Sequence, residues 1–190
     1  MKKILIFFFL INFSSNAADL KIVTLVTVNN AVITNIDLDN EIRIIKILNP
    51  NLDLQKININ QNALNNLIND NLKKIEIQKN KININEKIIL NQYTKFLENL
   101  NSNNLKISKN LEDLIYTKIK LEVQWNQFIA NKYSSQLNIN MQEIKKKIVE
   151  NKEAKDLESI INIEKNKKLT VYSNNHLDNL KKNSLIKFIK

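Results

Sequence analysis

The chain has 190 residues, a formal charge of +10, no glycine, no cysteine, one proline and one histidine. Without cysteine there is no thiol nucleophile, disulfide or zinc ribbon. Without glycine there is no glycine loop to cradle a phosphate, and a single histidine excludes a multi-histidine metal site, so no cofactor is expected. Asn, Lys and Ile fill the chain instead, all three from A/T-rich codons, so the basic charge reads as compositional bias and not as a nucleic-acid footprint.

Residues 1–17 have the pattern of a signal peptide. Lys2 and Lys3 precede an unbroken apolar run over residues 4–11, and Ser15 and Ala17 supply small residues before a cleavage site at Ala18. The run is far shorter than the roughly 20 apolar residues a membrane span needs. The expectation is export to the periplasm with no stable span after cleavage.

The β-branched run over residues 22–28 predicts a strand. Asn29-Asn30 tolerates the positive φ of a tight hairpin turn, and residues 31–33 form the returning strand. Thr34 then caps a first helix, with Asp37 at capping-box distance. Leu38, Ile42, Ile45 and Leu48 give that helix an apolar stripe, and Asn49-Pro50 ends it. A polar connection over residues 51–60 leads to a second helix over 61–80, with Leu64, Leu67, Ile68, Leu72 and Ile75 on one face.

Asn83 and Glu86 have the spacing that opens a third helix, which carries Ile89, Tyr93, Phe96, Leu97 and Leu100. A loop over 101–104 separates it from a fourth helix over 109–133, with Leu111, Leu114, Ile115, Ile119, Trp125, Phe128 and Ile129 as its stripe. Asn140 and Glu143 repeat the capping spacing before a fifth helical stretch running to about residue 182. Its expected buried positions are Leu157, Ile160, Ile161, Leu169, Tyr172 and Leu180. Residues 185–189 switch to a strand-like run. A two-stranded hairpin is marginal alone in water, so this run is expected to pair with the N-terminal hairpin and close the fold through its two ends. The fold class is therefore mainly α, with a short N-terminal β-hairpin joined by a C-terminal strand.

The opening, Ile22-Val-Thr-Leu-Val-Thr-Val-Asn-Asn-Ala-Val-Ile-Thr34 followed by Asp37-Leu-Asp39, resembles that of the SurA family of periplasmic chaperones. Leu64-Asn-Asn-Leu-Ile-Asn-Asp-Asn-Leu72 is similar to the family's second helix, and Ile84-Asn-Glu86 and Ile139-Asn-Met-Gln-Glu143 are similar to its later helix openings. The likeness covers about residues 20–148. The tail, from Glu164 through Tyr172 to Leu180-Lys-Lys-Asn-Ser-Leu-Ile186, resembles the family's far C-terminal segment, which folds back onto the N-terminal module.

The resemblance implies a signal peptide over 1–17, a SurA N-terminal-like helical module over 18–148, and a C-terminal helix and strand over 149–190 packing back on it. In the family, parvulin-type prolyl isomerase domains normally lie between these parts. Such a domain needs on the order of a hundred residues, and the interval here does not hold one, so no catalytic residue is carried over and no enzymatic activity is expected. The implied function is that of an ATP-independent holdase for unfolded outer-membrane or secreted polypeptides. The alternative is an envelope scaffolding protein that binds one folded partner.

Tyr93, Phe96, Trp125, Phe128 and Tyr133 are the candidate client-binding residues, since aromatic anchors suit a peptide groove. Their helical spacing equally suits a core. His176 reads as a solvated helix position, and the acidic pairs Glu112-Asp113 and Asp156 with Glu158 read as surface charge.

Overall fold

The fold is given by a computed structural model, which describes residues 21–49, 58–102, 107–138, 142 and 157–189. The signal peptide, most of the connection at 51–57, part of the loop at 101–104, the capping pair Asn140 and Glu143, and residues 149–156 lie outside the described residues.

Strand β1 (Thr24–Val28) and strand β2 (Ala31–Thr34) form the predicted hairpin. Of the two turn residues only Asn29 takes a positive φ, 52°, a region that Asn enters more readily than most residues. The ladder is irregular between Thr24 and Val26. Thr34 caps helix α1 (Asn35–Leu48) through a complete capping box. Its backbone N–H donates to Asp37 Oδ2 at 2.8 Å, and the Asp37 N–H donates to Thr34 Oγ1 at 3.3 Å. These bonds satisfy donors that the helix start would otherwise leave open.

Helix α2 (Ile59–Lys79) starts two residues before the predicted position, where Asn58 Oδ1 accepts from the Gln61 N–H at 3.1 Å. It ends with Lys81 in the left-handed region at φ 51°. The Lys81 N–H donates to Gln78 O and the Ile82 N–H to Ile77 O, both at 3.2 Å. This is the Schellman pattern, with lysine where glycine is usual.

Helix α3 (Glu86–Ser102) starts differently from the expectation. Asn85, not Asn83, receives its first N–H groups, with Lys87 N–H donating to Asn85 Oδ1 at 3.0 Å and Ile88 N–H to Asn85 O at 2.9 Å. Helix α4 (Lys109–Lys132) follows, then a single 3-10 turn at Ser134–Gln136, helix α5 (Leu157–Lys182) and strand β3 (Ile186–Phe188).

The sheet order is β2-β1-β3, with both pairings antiparallel, so the C-terminal strand joins the N-terminal hairpin as expected. Asn29 fastens this closure. Its N–H donates to Leu185 O at 2.8 Å, and its side-chain oxygen accepts from the Leu185 N–H at 2.9 Å.

Alternation places Val26, Val28 and Ile33 on the inner face of the sheet, against Ile68 and Leu72 of α2. A second cluster holds Ile77 of α2 with Leu121, Trp125, Phe128 and Ile129 of α4. Leu177 and Leu180 of α5 touch both clusters.

Two faces differ from the predicted stripes. On α1 the buried residues are Glu41 and Ile44, while Leu48 is exposed. On α5 no side chain is fully buried: Leu157 is exposed, and Ile160, Ile161, Leu169, Tyr172 and Leu180 are half-buried. The helix lies along the surface of the other helices and shields their residues more than its own.

Candidate functional site

The five aromatic candidates divide into two places. Tyr93 and Phe96 lie on α3, both half-buried. The Tyr93 hydroxyl donates to Glu112 Oε1 of α4 at 2.8 Å, and its ring meets Tyr116 edge-on with centroids 5.1 Å apart. Burial first, and the Glu112 carboxylate beside it second, push the Tyr93 hydroxyl up to about 12.

Trp125, Phe128 and Tyr133 come together at the other end of α4, where α5 lies across them. Trp125 is 1% exposed and Phe128 4%. Their ring centroids are 5.4 Å apart, within the range of favourable aromatic pairs. In this conformation both are core residues, covered by α5.

The cover is attached by polar groups. Trp125 Nε1–H donates to Ser173 Oγ at 2.8 Å, which satisfies a buried indole. Tyr133 stacks on Tyr172 with centroids 4.8 Å apart and planes 6° from parallel. The Tyr172 hydroxyl donates to Gln136 O at 3.2 Å. A cleft of about 510 Å³ opens beside this contact, lined in part by Lys73, Glu122, Asn126, Ser173 and Asn174.

His176 is at the centre of the contact, against the expectation of a solvated position. Its ring lies 5.7 Å from Trp125 and 5.3 Å from Phe128, centroid to centroid. Nδ1 is 3.1 Å from the Tyr133 hydroxyl. Nε2 is buried and makes no hydrogen bond among the described residues, although Glu76 Oε1 of α2 lies 3.4 Å away, off hydrogen-bonding alignment. Burial lowers the His176 pKa from its ordinary value, Lys132 adds to the lowering, and Glu76 opposes it. The sequence carried a signal for this. His176 stands four residues after Tyr172 and four before Leu180, on the stripe that faces the core.

A second polar cluster was not legible in the sequence. Lys118 Nζ of α4 donates to Glu41 Oε2 of α1 at 2.8 Å and to Asp70 Oδ2 of α2 at 2.6 Å. Asn66 Nδ2 adds a bond to Glu41 Oε1 at 3.0 Å. Burial by itself would lower the Lys118 pKa, but the two carboxylates together outweigh it and raise the value. The triad binds three helices to one another through one cation shared by two carboxylates.

Among the described residues, no group of His, Cys, Asp and Glu is arranged to hold a metal ion, and no helix is long and apolar enough to cross a membrane. Neither a protein-family model nor a curated protein sequence matches the chain.

Proposed function

We propose that this chain is a periplasmic, ATP-independent chaperone of SurA type, a holdase that binds unfolded outer-membrane or secreted polypeptides without isomerising prolyl bonds. The observation that carries this reading is the meeting of the two chain ends in one sheet, β3 on β1, with α5 laid back over α2 and α4. This arrangement agrees with the back-folded tail that the resemblance of residues 20–148 and 164–186 to the SurA family implies.

The surface suits reversible, unselective capture. Ile22, Val32, Leu185 and Phe188 lie exposed in and beside the sheet, Phe188 at 59%, and Ile88 and Leu90 lie exposed on α3. Exposed apolar side chains of this kind engage partly folded chains and hold them apart. Strands β2 and β3 end the sheet on either side, and a free strand edge can accept an extended peptide through backbone hydrogen bonds.

The test is light scattering from a denatured outer-membrane barrel diluted into buffer with the purified protein. Near-stoichiometric amounts should suppress aggregation. No suppression with several unrelated clients would overturn the holdase reading and favour a scaffolding protein with one folded partner. Export is checked separately: mass spectrometry of the envelope fraction should find an N-terminus at Ala18.

A further inference from the structure

Three features of the α5 contact stand together. The helix has no fully buried side chain of its own, yet it seals Trp125 and Phe128 from water. Its attachment there includes Ser173 to Trp125, Tyr172 to Tyr133 and Gln136, and His176 in the middle. Its far end is tethered independently, because β3 pairs with β1 and Leu185 is bonded to Asn29. Among the described residues the helix is tethered by β3 at one end and is held along its length by the packing of Leu169, Leu177 and Leu180 and by a contact around one titratable ring, which is the construction of a strap.

We propose that His176 is a proton-operated latch: protonation in mildly acidic surroundings releases α5 from α2 and α4 and bares the Trp125, Phe128 and Tyr133 face, while β3 stays paired with β1.

A cation at this point is costly. With Nε2 protonated in the neutral ring, Nδ1 accepts from the Tyr133 hydroxyl at 3.1 Å. Adding a proton to Nδ1 reverses that bond, so the Tyr133 oxygen would have to accept and its own O–H would lose its partner. The imidazolium would then lie buried against Trp125 and Phe128, with the Lys132 ammonium 5.3 Å over the Phe128 ring.

The charged and titratable groups facing this contact are Glu76 and Lys73 of α2, Lys132 and Tyr133 at the end of α4, and Tyr172 on α5 itself. Lys73 is occupied with Glu122 and lies over the far ring, 5.9 Å from the Trp125 centroid. Glu76 favours the proton, but it is not aligned to accept it. Burial and Lys132 prevail, so the folded pKa falls below 6.5. The stabilisation is therefore intact above pH 6.5 and is lost as the pH falls from that value through the lower folded one. Releasing the strap lets the ring reach water and take its proton at the ordinary value.

What the bared face would hold rests on the polypeptide-binding reading, but the latch can be judged without it. Trp125 is the sole tryptophan and His176 the sole histidine, so intrinsic fluorescence reports this contact directly. Few side chains other than histidine change charge between about pH 8 and about pH 5. In that window the emission of the full chain should shift to the red and become open to acrylamide quenching. The midpoint should lie below 6.5, and far-ultraviolet circular dichroism should remain unchanged.

His176→Gln should abolish the transition. Lys132→Gln, an exposed position that leaves the fold intact, should raise the midpoint, and Glu76→Gln should lower it. Emission that does not move in the wild type, the same transition in His176→Gln, or an unmoved midpoint in Lys132→Gln would each overturn the latch.

Discussion

Two of the polar contacts between helices among the described residues are built in opposite ways. In the Lys118 triad, a charged group meets two carboxylates at hydrogen-bonding distance, with Asn66 adding a further bond. In the His176 contact, a neutral ring has one hydrogen-bonded nitrogen and one buried nitrogen without a bond, beside a misaligned carboxylate. Against burial, the carboxylates hold Lys118 charged and raise its pKa. Burial disfavours the charged form of His176 and lowers its pKa. Helices α1, α2 and α4 therefore form a permanent frame, whereas α5 is attached to that frame conditionally.

The largest expected effect comes from breaking the permanent contact. Lys118→Met leaves Glu41 and Asp70 buried without their cation. Removing one partner of a buried pair costs about 3–5 kcal/mol, and the lower end applies because the Lys118 side chain is 27% exposed. Urea unfolding should show this loss with the red-shift midpoint of Trp125 unmoved. A moved midpoint would mean that the two contacts are coupled. The triad also has its own pH signature. Because the Lys118 pKa is raised above 10.5, its stabilisation is present below that pH and is lost as the pH rises through the folded value.

A smaller effect comes from the conditional contact. Ser173→Ala leaves the Trp125 indole N–H without its partner, a loss of about 1–3 kcal/mol for a buried donor. Quenching of Trp125 by acrylamide should rise at neutral pH, before any change in helix content. Equal loss of fluorescence and helicity would show that α5 and the frame unfold as one unit.

The smallest effect is a gain. Lys81→Gly replaces a side chain held at φ 51° with the residue that enters this region without penalty, and should stabilise by about 1 kcal/mol. Neither polar contact is touched, so thermal unfolding should shift upward with the pH dependence unchanged.

Features set by neighbours along the chain were legible beforehand. The β-branched run over residues 22–28, the capping box of Thr34 and Asp37, the helix end at Asn49 and the strand-like run over 185–189 appear as β1 (Thr24–Val28), the start and end of α1, and β3 (Ile186–Phe188). The Asn83 start was the exception. Asparagines stand at 80, 83 and 85, and spacing alone did not separate them. The residue pattern named the five aromatic candidates as one set, and only the fold separates Tyr93 and Phe96 on α3 from Trp125, Phe128 and Tyr133 beside α5.

By itself, then, the sequence determined which segments are helix or strand, because caps, turns and apolar periodicity act within a few residues. Only the tertiary structure decided which face of α1 turns inward, how shallowly α5 is seated and what surrounds His176. Those outcomes depend on partners far away in the chain: Glu41 meets Lys118 across 77 positions, and Tyr133 meets His176 across 43. A buried polar residue is stable only where its partner arrives, and no local pattern announces that meeting.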